Sequence, residues 1–202
     1  FPMRLKIFHS TTYRYEPPAS GVIQILRMTP GSHDGQYVAG WQIDVSTDSR
    51  LHAHEDAFGN LTHVMTDGGV ADLNITVEGL VETHDTGGVL KGTDERFPPG
   101  LFLRTTPLTE ADNAMRAFAE ESAAGAKSRL DCLHRLMGAL HEQVVFEPGP
   151  MTATTAAAEA FRLKRGVCQD FAHLFVGCAR HLAIPARYVS GHYLHLDGPV
   201  KQ

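Results

Sequence analysis

Apolar and polar positions alternate in short runs along the first half of the chain. Arg4-Leu5-Lys6-Ile7-Phe8-His9-Ser10-Thr11-Thr12-Tyr13-Arg14-Tyr15 is rich in β-branched and aromatic residues and reads as a strand, stopped by Pro17-Pro18. Val22 to Met28 gives a second strand, and Tyr37 to Val45 a third with Trp41, Ile43 and Val45 on one face. Leu51 to Ala57 and Leu61 to Met65 flank the turn signal Phe58-Gly59-Asn60. From Leu73 to Glu82 the alternation is clear: Leu73, Ile75 and Val77 face one way, Asn74, Thr76 and Glu78 the other. About six short strands separated by turn residues predict an antiparallel β-sandwich.

Gly87-Gly88, Pro98-Pro99-Gly100 and Pro107 then mark an irregular connector. Beyond it the period becomes helical. Thr109, with Asp112 three residues on, resembles a capping box and predicts a helix to about Ser122. Ser128 and Asp131 repeat the device, followed by a stripe of Leu130, Leu133, Leu136, Met137 and Leu140. Glu147-Pro148-Gly149-Pro150 ends that element, and Thr155 to Phe161 suits a short helix. Gly166 precedes a third long helix, Val167 to about Ala183, stopped before Pro185. Ala186 to His195 reads as a strand. The expected fold class is therefore α+β, with a β-rich domain over 3–105 and a second domain over 106–202. Phe1-Pro2 ahead of Met3 reads as a cloning remnant and is left out of this reading.

Composition narrows the function classes. The chain has 202 residues, 43% of them hydrophobic and 20% charged, which is globular composition. Its net charge is −5 and Lys and Arg form no cluster, which argues against a nucleic-acid partner. No apolar run approaches the roughly 18–20 residues that a membrane span needs, so no membrane partner is expected. Three scattered cysteines without a C-x-x-C pair make neither a disulfide scaffold nor a cysteine zinc site. Phe1-Pro2-Met3-Arg4 lacks the apolar stretch of a secretory signal, and a cytoplasmic location is the expectation.

The cysteines are not equivalent. On a helical projection of the third long helix, Leu174, Phe175, Cys178 and Leu182 fall within about 60° of Phe171, so Cys178 is expected to be a buried, inert thiol. Cys132 sits beside Leu133 in another helix and is read the same way. Cys168 instead occupies the first turn, two residues after Gly166. Helix starts present unpaired N–H groups and a partial positive charge, both of which favour thiolate, the nucleophilic form. The same N–H groups can hold the oxyanion of a tetrahedral intermediate. From periodicity alone, a cysteine that merely packs at a helix start is the preferred reading.

Thr154-Thr155-Ala156-Ala157-Ala158-Glu159-Ala160-Phe161 and then Arg165-Gly166-Val167-Cys168-Gln169-Asp170-Phe171-Ala172-His173 resemble the active-site stretch of bacterial transglutaminase-like cysteine proteases. Leu182-Ala183-Ile184-Pro185-Ala186-Arg187-Tyr188-Val189-Ser190-Gly191-His192-Tyr193-Leu194 resembles the same family's helix exit and first core strand. The first half is similar to its β-rich N-terminal region, from Tyr13-Arg14-Tyr15 through Asp56-Ala57-Phe58-Gly59-Asn60. The resemblance implies a papain-like core in which Cys168 is the nucleophile and its backbone N–H an oxyanion donor. A neighbouring antiparallel sheet would carry the His and Asp of a triad. It implies an amide or peptide substrate, an acyl-thioester, and release to water or to an amine, with no cofactor and no metal.

The family's His and Asp segments lie after the strand near Leu196, and this chain contains neither. The ending Asp197-Gly198-Pro199-Val200-Lys201-Gln202 does not read as a finished domain, so a fragment of a longer protein is the expectation. A chain complete as written would have little triad activity, and the rival function is a non-catalytic binding or scaffold module. His192 and His195, three apart on a strand, would face opposite ways, and neither is assigned as base. His173, about 140° around the helix from Cys168, is expected to be structural or hydrogen-bonding. Asp170 is a poor direct partner for Cys168 but suits the helix start. Phe146 stands where related sequences often carry Tyr, and has no hydroxyl to donate. Trp41 reads as packing. His52, His54 and Asp56 share a strand face that could begin a metal site, with His63 or His84 adding a ligand, although a solvated face is the preferred reading.

Overall fold

A computed structural model describes residues 3–93, 95–149 and 152–192. These fall into two compact units, one running to Arg96 and including Gly191 and His192, the other spanning Phe97–Ser190.

In the first unit six strands form two antiparallel three-stranded sheets. β1 (Met3–Ala19), β6 (Val70–Thr83) and β3 (Gln36–Val45) are ordered β1-β6-β3. β2 (Val22–Leu26), β5 (Leu61–Asp67) and β4 (His52–Glu55) are ordered β2-β5-β4. The predicted alternation is visible in β6, whose Leu73, Ile75 and Val77 are buried. Val22, Leu26 and Met65 of one sheet pack with Val70, Leu73 and Ile75 of the other, the apolar filling of a sandwich. The Phe58-Gly59-Asn60 signal is a turn, with Gly59 at φ 82° and Asp56 Oδ1 accepting the Phe58 and Asn60 amides at 2.9 Å. β1 does not stop at Pro17-Pro18. Its ladder to β6 breaks after Arg14↔Asp72 and resumes at Ala19↔Val70. As β1 is an edge strand, prolines that lack an N–H cost it no ladder hydrogen bond on the outer side.

The second unit opens with 3-10 helices at Pro99–Leu103 and Pro107–Thr109 and continues through α1 (Asn113–Ala123), α2 (Arg129–Gln143), α3 (Ala157–Leu163) and α4 (Cys168–His181). Met115, Ala119, Leu136, Leu140, Ala160, Phe161, Leu174 and Cys178 form its core. Three expectations are corrected here. Thr109 does not cap α1: its hydroxyl is engaged with Thr106 Oγ1 at 2.8 Å and accepts from Arg180 Nη1 at 2.9 Å. Asp112 is the cap, accepting the Met115 amide at 2.8 Å. In α2 the buried line is Cys132, Leu136 and Leu140, whereas Leu130 and Met137 are exposed. With Leu136 at zero on a helical projection, Cys132 and Leu140 fall about 40° to either side, whereas Leu130 and Met137 fall about 100–120° away, off the buried face. Finally, 186–192 is not a strand, because no described strand lies beside it to take ladder hydrogen bonds. Residues 193–195 of that prediction lie outside the described residues.

Candidate active site

The route into α4 is built from short backbone pairings. Lys164, left-handed at φ 55°, ends α3. The next two residues form β8 (Arg165–Gly166), parallel to β7 (Val145–Phe146). The Val145 amide donates to Lys164 O at 2.9 Å and the Glu147 amide to Gly166 O at 3.0 Å. Arg165 Nη1 meets the Glu147 carboxylate at 3.3 Å. The register thus sets Phe146 opposite Gly166, two residues before Cys168, and both Val145 and Phe146 are exposed.

Val167 is extended and is the N-cap of α4, and Cys168 is the first helical residue, exposed to solvent. The Phe171 amide donates to Val167 O at 3.1 Å, so the amides of Cys168, Gln169 and Asp170 precede the helical ladder. Valine has no side-chain acceptor, and no side-chain cap covers them. Gln169 Nε2 donates to Ala153 O at 3.1 Å, fastening the first turn to the preceding loop. Among the described residues nothing hydrogen-bonds the Cys168 thiol.

Asp170 and His173 lie behind this turn. Asp170 is 1% exposed, and its Oδ2 accepts the Val167 amide at 2.8 Å while Oδ1 has no partner among the described residues. His173 is buried too, with Tyr188 at 5.6 Å between ring centroids and Nδ1 without a partner among the described residues. Burial pushes the His173 pKa below its ordinary value, and the Asp170 charge pulls partly the other way. The other two thiols are buried as expected. Burial pushes Cys178, first, with Asp112 adding to it, up to about 12.

Sequence reasoning therefore located Cys168 at a helix start and Asp170 as its brace. It did not anticipate Tyr188 over His173 or the pairing of Phe146 with Gly166, since such contacts depend on residues distant in sequence. Nor did it find the role of Arg180, whose guanidinium donates to Phe102 O at 2.9 Å, to Ala186 O at 2.8 Å and to Thr109 Oγ1 at 2.9 Å. Two surface concavities of about 370 and 440 Å³ lie elsewhere, one beside Ser128, Cys132 and Ile184 and one between Phe118 and Glu142.

The histidine-rich stretch does not assemble. His52 and His54 are exposed on β4, and His54 Nε2 is engaged with Thr62 Oγ1 at 2.9 Å. Hydrogen bonds from Asn60 and Phe58 occupy the Asp56 carboxylate, and those from Asn60 are the first cause of its lowered pKa. Among the described residues no group of three or more His, Cys, Asp or Glu is placed to hold a metal ion. No described helix is long and apolar enough to cross a membrane. Trp41 packs over Gly79 with His192 at 5.6 Å, and its Nε1 is buried without a partner among the described residues. His195 lies outside the described residues.

Comparison with known proteins agrees with this architecture. Residues 5–82 match the bacterial transglutaminase-like N-terminal region, and residues 116–200 match the transglutaminase-like superfamily. An uncharacterized protein of Mycobacterium leprae is 28% identical over 95% of this chain and 71% of its own length. One from Mycobacterium tuberculosis is 25% identical over 97% of this chain and 67% of its own. A solved structure from Cytophaga hutchinsonii, described as a "Putative Cysteine Protease", has a TM-score of 0.72 and 16% identity, over 92% of this chain and 67% of that one. It shares the fold.

Proposed function

We infer, from the premise that the chain belongs to the transglutaminase-like superfamily, that Cys168 is the nucleophile of thiol-dependent acyl transfer on amide or peptide bonds. The observation that carries this reading is the contrast among the three thiols. Cys132 and Cys178 are buried, while Cys168 is exposed at the head of a 14-residue helix whose first amides have no side-chain cap.

The chemistry follows from that placement. The Cys168 sulfur adds to the carbonyl carbon as its proton passes to a base. The carbonyl π electrons move to oxygen, where the Cys168 amide and the helix dipole stabilise the developing charge. Collapse breaks the carbon–nitrogen bond, the amine leaves with a proton, and an acyl-thioester remains. Water then yields an acid, or a second amine yields a new amide, and Cys168 regains its proton. The base and its orienting carboxylate are the His and Asp that the family resemblance implies, and neither is among the described residues.

The test is turnover of a panel of small peptides and carboxamides by the full-length protein. Cys168→Ala should abolish it while Cys132→Ala retains it. Turnover surviving in Cys168→Ala moves the nucleophile elsewhere. No turnover by the wild-type protein on any member favours a binding module on the same fold.

A further inference from the structure

Helix starts are usually capped by a side chain of the N-cap residue, which reaches forward and occupies amides of the first turn. In α4 the direction is reversed. The N-cap is Val167, which has nothing to offer, and the brace comes from inside the helix, where Asp170 Oδ2 accepts the Val167 amide at 2.8 Å. Only half of a capping box is present, the half that fixes the incoming chain.

Two further observations show how closely this brace is held. A β-carbon on Gly166 would lie 2.6 Å from Asp170 Cβ and 3.0 Å from its Oδ2, so Asp170 is seated against bare backbone. At 1% exposure its carboxylate is withdrawn from water, although Oδ1 has no partner among the described residues. Burying a carboxylate with one oxygen unpaired is costly, and an ordinary Ser or Asp at position 167 would cap the helix without that cost. The difference between the two solutions lies in what is left open. A forward-reaching cap consumes first-turn amides, whereas a backward-reaching carboxylate fixes the Gly166–Val167–Cys168 turn and leaves those amides uncovered.

We propose that Asp170 is a positioning residue for Cys168: it sets the thiol and the first amides of α4 in one fixed relation while keeping those amides free for an oxyanion. This rests on the reading of Cys168 as the nucleophile.

Two probes that make different demands test it in the full-length protein. Iodoacetamide alkylates a thiolate by displacement and forms no oxyanion. In contrast, p-nitrophenyl acetate acylates the same thiol through a tetrahedral oxyanion and releases p-nitrophenolate. Asp170→Ala should slow the p-nitrophenolate burst about tenfold or more relative to Cys168 alkylation, because a small misplacement of reacting groups is costly. Asp170→Asn keeps an oxygen able to accept from Val167 and should restore the ratio to within about threefold. It also keeps the test decisive if Asp170→Ala fails to fold. Equal effects on both probes, no effect on either, or an Asp170→Asn burst as slow as that of Asp170→Ala would overturn the proposal. A burst that survives in Cys168→Ala removes the nucleophile reading and this proposal with it. A burst lost in Cys168→Ala but unchanged in Asp170→Ala removes this proposal alone.

Discussion

Gly166 and Asp170 touch where any larger residue at 166 would collide: an added β-carbon would meet Asp170 Cβ at 2.6 Å, Oδ2 at 3.0 Å and Cγ at 3.1 Å. Gly166 is also paired in the ladder, its carbonyl accepting from Glu147 at 3.0 Å, so the backbone has little room to retreat. Gly166→Ala should therefore destabilise the protein by about 1–3 kcal/mol, the usual range for forcing atoms into a packed site. Urea unfolding followed by circular dichroism measures this, and an unchanged midpoint would show that the contact relaxes freely.

The thiols should separate by labelling rate. At pH 6, iodoacetamide should modify Cys168 well ahead of Cys132 and Cys178, with peptide mass spectrometry reading each site. Cys168 is exposed at a helix start, whereas Cys132 and Cys178 are buried, and burial pushes the Cys178 thiol up to about 12. Equal, slow labelling of all three would contradict the assignment.

Acid should weaken the fold partly through His173. Burial lowers its folded pKa below the ordinary 6.5, so at mildly acidic pH the unfolded chain holds the proton that the native one refuses. The stability tied to the neutral ring is fully present above about pH 6.5 and is lost as pH falls toward the folded value. His192 shifts the same way, from burial first and from His9 second. Melting temperatures of wild type and His173→Gln between pH 7.5 and 5 should converge toward the acid end. Parallel curves would mean that His173 does not titrate across folding.

A second collision site lies in the β-sandwich. Trp41 of β3 lies over Gly79 of β6, its register partner, and a β-carbon on Gly79 would clash with Cε3 and Cζ3 of the indole. Gly79→Ala should lower the melting temperature and change the emission of Trp41, the only tryptophan. Adding Trp41→Leu should recover part of the lost stability, as expected for coupled neighbours. Additive losses would place the damage elsewhere.

How much of this was legible in the sequence depends on how local each cause is. Alternation in Leu73, Ile75 and Val77, the Asp56–Asn60 turn and the Ser128 cap are set within a few residues, and the structure shows them where the sequence put them. Asp170 as a brace for the helix start was equally readable, because its partner Val167 is three residues away. The errors arose where distant contacts decide. Thr109 looked like a cap until Arg180, 71 residues on, claimed its hydroxyl. Over Ala186 to His192, the described part of the expected strand, a neighbouring strand was required that the alternation could not supply. Pro17-Pro18 looked like a stop because nothing local reveals that β1 lies at an edge.

The Arg180 guanidinium gathers Phe102, Thr109 and Ala186 onto the last turns of α4. A tether with several anchor points has no free axis about which to swivel. Chain that has passed Pro185 therefore takes its bearing from the same rod whose other tip is Cys168, roughly 20 Å away by helical rise.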